Sequence, residues 1–353
     1  MVVFLKLAGL LAVAAVVDAV PFVPTSKLSA ASLYKKDVTP LPDYATAYAP
    51  ISYLNSGESW WPSDIATHLQ NVIPEIDFTP IDGFQTAGQT TLANLNTVDA
   101  TAYLTSKDNV DDSPAWQLSN YGKPTTTAGG YSAAPGTIIA VQKNATWVDV
   151  FYFTFFSYNH GGAVLGIQFD NHVGDWEHTM IRFIDGKPTG MYFSQHGSGS
   201  AYTWSALNKT DAGRPRAFIA VGGHANYVKA GKQEYTVVGK LLTDKTNAGF
   251  AWDFAQNYRG YWFDNSTQTF SPAGGATTDD ASWLSWKGFW GDDKYPLSRR
   301  GQYCIVNECH YAAGPTGPVM KNLGRNALCQ REAKCSVYTS ADDLTHQSKR
   351  TSH

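Results

Sequence analysis

The chain has 353 residues, with 27 Lys and Arg against 30 Asp and Glu and a formal net charge of −3. No basic run or stripe appears, so nucleic acid is not an expected partner. Only 16% of residues are charged while 11 Trp, 19 Tyr, 17 Phe and 31 Gly are present, a composition that suits an extracellular β-rich chain with many loops.

Residues 1–19 read as a secretory signal peptide. Lys6 is their only positive charge, residues 7–17 are almost wholly apolar, and Val17-Asp18-Ala19 supplies the small residues for cutting after Ala19. The apolar run is too short to span a bilayer, and no later stretch approaches ~18 uninterrupted apolar residues, so no transmembrane span is expected. Residues 20–43 read as an extended leader, 44–340 as a single β-rich domain with a disulfide-stapled C-terminal region, and the polar residues 341–353 as a disordered tail.

Within 44–340, residues 48–54 look like a strand, closed by turn chemistry at Asn55-Ser56-Gly57. Ser63 or Asp64 is placed to cap a short helix over 65–73, and His68 on it is expected to be packed or exposed rather than a ligand. Residues 85–135 are polar and read as loops and short strands. Residues 147–156 are apolar on both parities, the pattern of a central strand buried on both faces. Further strands are expected at 179–184, 191–194 and 217–221, with Gly186-Lys187-Pro188 turning between the first two. The expected fold is mainly β: an antiparallel β-sandwich with short peripheral helices and long loops.

Cys304, Cys309, Cys329 and Cys335 are an even set confined to the last fifty residues; in a secreted chain they imply two disulfides, with three connectivities open. Asn144, Asn208 and Asn265 each begin an Asn-x-Ser/Thr glycosylation sequon. Together with the signal peptide these point to an exported protein.

The chemistry concentrates in Asn171-His172-Val173-Gly174-Asp175-Trp176-Glu177-His178. Asp175 and Glu177 are two apart, so on extended backbone both leave the same face. Carboxylates side by side repel unless a proton or a cation sits between them, and a divalent cation is the expected solution. Trp176, between them, is expected to point into the core. Five of the nine histidines fall between 160 and 224, and His160, His196 and His224 end strands beside glycine. Strand ends deliver side chains to one rim, so His172, His196 and His224 are expected to converge on the acid pair, with His160 and Asn159 as additional candidates. Mixed imidazole and carboxylate ligands suit zinc or manganese; a carboxylate-dominated set suits calcium or magnesium. No His-Glu-x-x-His, nucleophile elbow, phosphate-binding loop or dinucleotide fingerprint is present.

Tyr48-Ala49-Pro50, Trp61-Pro62-Ser63-Asp64, Tyr158-Asn159-His160-Gly161-Gly162, Gly174-Asp175-Trp176-Glu177-His178, Gly223-His224-Ala225-Asn226-Tyr227, Trp290-Gly291-Asp292 and Gly314-Pro315-Thr316-Gly317-Pro318 together resemble the fungal vacuolar protein sorting-associated protein 62 family, which implies a vacuolar sorting role. Locally, the heptapeptide 172–178 is similar to the signature of necrosis- and ethylene-inducing-like proteins, secreted cytolysins with a β-sandwich related to actinoporins and fungal lectins. That resemblance implies His172, Asp175 and Glu177 around a divalent cation that engages sphingolipid sugar head groups, with His196 matching a later histidine-glycine. The sequence departs from it at Gly174, where the signature has a second histidine, and at Asn159-His160, where it has an upstream acid.

The expected function is therefore binding of a glycan or lipid head group at a rim holding a divalent cation, calcium or magnesium favoured, manganese or zinc open, with His172, Asp175, Glu177 and His196 as ligands. Two alternatives stand beside it: a metal-dependent hydrolase using Glu177 or His178 as general base, and a sorting protein with a purely structural ion.

Overall fold

The strands that position the site are, in chain order, β1 (Ile51–Leu54), β2 (Gly136–Gln142), β3 (Trp147–Asn159), β4 (His172–Ile184), β5 (Lys187–Gln195), β6 (Ser198–Thr203), β7 (Arg216–Ile219), β8 (Asn226–Tyr227), β9 (Phe250–Asp253), β10 (Tyr258–Asp264), β11 (Thr269–Gly275) and β12 (Val337–Tyr338). They come from a computed structural model, which describes residues 38–234, 243–275, 281–305 and 308–342. The expected signal peptide, the leader as far as residue 37 and the tail beyond residue 342 lie outside the described residues.

The strands form an eight-stranded sheet in the order β11-β10-β2-β3-β4-β5-β6-β12 and a four-stranded sheet in the order β8-β7-β1-β9. The fold is mainly β, as the composition suggested. Most ladders are antiparallel, but β2–β10, β6–β12 and β1–β7 pair in parallel. Each of these joins strands far apart in sequence, where no tight hairpin dictates direction.

The two parities of β3 build two cores. Val148, Val150, Tyr152 and Phe156 pack with Leu54 of β1, Ala217 and Ile219 of β7 and Trp252 of β9, so the four-stranded sheet covers one face of the large one. Phe151, Phe153 and Phe155 pack on the other side with Leu69, Leu104, Trp283, Trp286 and Trp290. The double-faced apolar run thus reads as predicted: a strand with no solvent face needs no polar parity.

The helix expected over 65–73 forms only as Ile65–Leu69, with the Asp64 carboxylate accepting from Thr67 N. Val72 and Ile73 instead open a strand, Val72–Ile76. Both are β-branched and stiff in a helix, and Pro74 holds the residue before it extended. His68 is buried, its Nδ1 3.2 Å from Ser157 Oγ. Of the three disulfide connectivities the chain adopts the most local, Cys304–Cys309 and Cys329–Cys335. Asn144, Asn208 and Asn265 are all exposed. At the N-terminal side Leu41 is buried in the core shared with β3, so the last residues of the expected leader are packed.

Candidate functional site: an acid and imidazole recess at the strand rim

The signature octapeptide lies almost wholly in β4, and strand alternation sorts its side chains. Trp176 and His178 point to the tryptophan-rich core: Trp176 lies 4.7 Å from Phe155 and His178 4.8 Å from Phe153, centroid to centroid. Asp175 and Glu177 leave the opposite face together, as their spacing required. Both are nearly buried, at 5% and 6% exposure. Gly174 carries φ +65°, and a Cβ there would fall 1.9 Å from the Trp290 carbonyl oxygen, so this glycine lets a second segment cross directly over the motif.

Asp175 is met by His224. The imidazole Nδ1–H donates to Asp175 Oδ2 at 2.9 Å and Nε2–H donates to the Trp60 carbonyl at 3.2 Å. Two acceptors on two ring nitrogens describe an imidazolium. Burial alone would lower the pKa of His224, but its hydrogen bond to Asp175 and the nearby Glu58 carboxylate outweigh it and raise the value. The ring lies flat on Phe156, 3.6 Å between centroids. Glu58 itself is buried and held by three backbone amides, those of Ser59, Trp60 and Gly222.

Glu177 accepts from the Ser194 hydroxyl. Burial first, and the neighbouring Asp175 charge second, push its pKa up to about 8. At neutral pH, therefore, the acid pair is relieved by a proton on Glu177 and an imidazolium beside Asp175. Lys321 adds to the balance: burial lowers its pKa, against the pull of Glu177 and Asp175.

His196, expected as a ligand, instead donates from Nε2 to Asp244 Oδ2 at 2.9 Å. Burial would lower its pKa, yet Asp244, with help from Asp170 and Glu177, lifts it to about 9. Tyr227 donates to the same Asp244 oxygen at 2.6 Å. Gly223 fronts this group: a side chain there would stand 3.8 Å from His196 Cε1 and 3.9 Å from both Asn159 Oδ1 and Asp244 Oδ1. Glu177 also acts on the charge of His196, so Asp175, Glu177, Asp244, Asn159 and His196 form one recess of acids and imidazole, its acids 5–7% exposed.

Three expected members stand apart from it. The Nδ1–H of His172 donates to its own strand at Gly174 O, 2.7 Å away. His160 stacks on Trp60 at 4.2 Å and marks the outer edge of the rim. His178 lies across the sheet from Glu177, so the two residues offered as alternative bases do not share a site; burial and then the charges of Arg325 and Lys321 hold His178 well below its ordinary value. Among the described residues, no group of three or more His, Cys, Asp or Glu side chains is spaced to hold a metal. His172 Nδ1 and His196 Nε2 are engaged by Gly174 and Asp244, and among the described residues His172, Asp175, Glu177 and His196 do not form such a group. Glu58, Asp170, Ser194, Asp244 and Lys321 were not foreseen. Ser194 stands next to Gln195-His196 in sequence and Glu58 follows a read turn, whereas Asp244 and Lys321 carry no local signal.

Comparison with known proteins gives the following. A family profile described as vacuolar protein sorting-associated protein 62 matches residues 137–293. Vacuolar protein sorting-associated protein TDA6 of Saccharomyces cerevisiae is 34% identical over 324 residues, covering 82% of this chain and 68% of the relative. Vacuolar protein sorting-associated protein 62 of the same yeast is 32% identical over 321 residues, with the same coverage. Among solved structures, necrosis and ethylene inducing protein 2 from the agent of cocoa's witches' broom disease aligns at 13% identity and TM-score 0.29, over 55% of this chain and 72% of its own. NLPPya in complex with glucosamine aligns at 11% identity and TM-score 0.27, over 66% and 79%. At such TM-scores these structural likenesses decide nothing about the ligand of this chain.

Proposed function

The chain belongs to the vacuolar protein sorting-associated protein 62 family, and from that membership and the recess above we propose that it is a binding protein whose acidic recess takes the hydroxyls of a glycan or lipid head group. One observation carries the reading: Asp175 and Glu177 leave the same face of β4 nearly buried, Glu177 acts on the charge of His196, and His196 binds the nearly buried Asp244 beside Gly223, where a methyl would meet only ordinary contacts. Carboxylates are strong acceptors for paired sugar hydroxyls, and the half-buried Trp60 and His160 rings at the edge supply a flat surface for a sugar face.

A divalent cation is part of this reading. Two carboxylates on one face are too few for zinc, which wants four protein ligands or three and a water. They suit magnesium or calcium, which complete their shells with water and ligand oxygens. Asp175 and Glu177 would hold the cation, and its charge would relieve their repulsion in place of the Glu177 proton. The disulfides and the exposed sequons support a compartment outside the cytosol, the vacuolar lumen or the cell exterior.

The test is calorimetric titration of wild type and Asp175→Asn with methyl hexosides, with calcium, magnesium, manganese or zinc and with chelator. Wild type is expected to bind sugar more tightly with calcium or magnesium, and the variant to lose both. Unchanged affinity in Asp175→Asn ends the proposal. A hydrolase remains the second reading, favoured by one feature: the buried Glu177 carboxyl, whose pKa burial and then Asp175 push up to about 8, suits a general acid. Turnover lost in Glu177→Gln with sugar binding retained is its signature.

A further inference from the structure

Register sets Phe151, Met180 and Tyr192 side by side across β3, β4 and β5, with Phe153 and His178 paired one row along. Arg325 lies over the first row, its guanidinium carbon 4.9 Å from the centre of the Phe151 ring and 4.7 Å from that of Tyr192. His178 stacks on Phe153 at 4.8 Å and meets the same Tyr192 ring at 5.4 Å. Arg325, His178 and Tyr192 are each 1% exposed, and Phe151, Phe153 and Met180 are fully buried.

Arg325 is a buried cation with one edge unused. Its Nη1 donates to the Lys321 carbonyl at 3.2 Å, while Nε and Nη2 have no partner among the described residues. Those two nitrogens form the side of the guanidinium whose parallel N–H groups grip an anion. Arg182 shows the same edge in use nearby: its Nε and Nη2 hold the two Asp149 oxygens, both at 2.9 Å. Burial lowers the pKa of Arg325 to about 10, which leaves it charged at neutral pH. Both ring nitrogens of His178 also lack a partner among the described residues, and in either charge state an imidazole offers at least one N–H.

Among the described residues nothing supplies a free counter-charge. Asp149 and Glu332 are the acids that act on Arg325. Asp149 is taken up by Arg182 and the Trp147 indole. Glu332 is taken up by the backbone amides of Asn326 and Ala327 and the Asn322 side chain. Arg182 and Lys143 share the neighbourhood, so three cations face two carboxylates. A buried charge left uncompensated is costly, and the faces of Phe151 and Tyr192 offset only part of that cost. A water could accept from these donors but would bring no charge.

We propose that Arg325 and His178 hold a small monovalent anion, a halide or a planar oxyanion such as nitrate, which clamps the C-terminal segment 321–329 on the aromatic face of β3, β4 and β5. That segment is pinned on both sides of Arg325. Lys143 Nζ donates to Leu323 O at 3.1 Å, and Arg182 donates to Asn326 O at 2.8 Å and to Ala327 O at 3.2 Å. The anion is the link at its middle. Enclosure by side chains at most 1% exposed limits the occupant to a few atoms. The site lies across the sheet from the acid recess and does not depend on what the recess binds.

The test is thermal unfolding of the whole chain at fixed pH and ionic strength, with sodium gluconate replaced stepwise by sodium chloride or sodium nitrate. Gluconate is too large for the site. Unfolding releases any ion retained from purification, so the anion in the buffer sets the midpoint. For wild type the midpoint is expected to climb with the logarithm of chloride or nitrate concentration once that exceeds the dissociation constant. For Arg325→Met, which keeps an apolar filling and drops the charge, it is expected to be independent of both. Wild-type crystals soaked in bromide are expected to show the ion within hydrogen-bonding reach of Arg325 Nε and Nη2. A wild-type midpoint equal in gluconate, chloride and nitrate overturns the inference, the donors then being held by water. So does a dependence that persists in Arg325→Met, and so does bromide found on the surface alone, an adventitious ion only. If Arg325→Met does not fold, the position of the bromide decides.

Discussion

Glu177 is the residue whose ionisation the surrounding protein alters most consequentially. Its pKa stands at about 8 against an ordinary 4.5, so between those values the folded chain holds a proton that the unfolded chain releases. Stability therefore falls as pH rises through that window. His196 acts in the same direction by the opposite chemistry: its raised value, about 9 against 6.5, gives stability fully present below 6.5 and lost as pH climbs to 9. With chelator present, the melting temperature is expected to decline from pH 7 to 9, above the range in which the buried His68 and His178, whose values burial lowers, raise stability with pH, and Glu177→Gln is expected to remove the earlier part of that decline. A wild-type profile that rises over the same range refutes the assigned protonation states. Gly223→Ala is a second probe at this scale. The contacts a methyl would make there, at 3.8 and 3.9 Å, are ordinary, so the fold should be unaffected while sugar affinity in the titration falls. The shared face of Asp175 and Glu177 was legible because parity is a local rule. The partnership of His196 with Asp244, 48 residues away, was not, because only the tertiary fold brings that acid to the strand end.

At the scale of elements, β4 shows how one glycine joins motif to core. Gly174 is left-handed within an otherwise extended strand, and the carbonyl of Trp290 occupies the position its Cβ would need. Gly174→Ala is expected to cost at least about 1–2 kcal/mol from the backbone conformation alone, with the collision adding to it. Urea denaturation measures the sum; a loss below that range would mean that the strand relaxes without moving the Trp290 segment. Gly174 stands where the heptapeptide signature has a histidine, so a histidine here would meet the same obstruction. The short helix before β2 teaches a complementary lesson. Its cap at Asp64 was readable from sequence, since capping is local. Its end was misplaced because the segment 65–73 fits a helix and a helix–strand pair equally well until Pro74 is weighed.

For the whole molecule, the decisive inference is that one strand separates two cores. The apolar run 147–156 predicted burial on both sides, but nothing local told which segments would cover each side. The four-stranded sheet assembles β1, β7, β8 and β9 from segments up to two hundred residues apart, and the far core draws Trp283, Trp286 and Trp290 from near the C-terminal end. Because β3 belongs to both cores, neither should melt without exposing the wall of the other, and the described fold should unfold as one cooperative unit. Amide exchange resolves this strand by strand. The β3 amides, flanked by β2 and β4 and covered on both faces, are expected to exchange only through global unfolding, with protection equal to the stability measured by denaturant. The amides of β12, a two-residue edge strand paired on one side, are expected to exchange orders of magnitude faster through local fraying. If β3 exchanged in two groups that followed its alternating faces, with one group open below the global unfolding free energy, the two cores would be separable. The recess, whose walls come from β3, β4, the turn after β5 and the strand Thr243–Thr246, would then lose the rigid frame on which its acids depend.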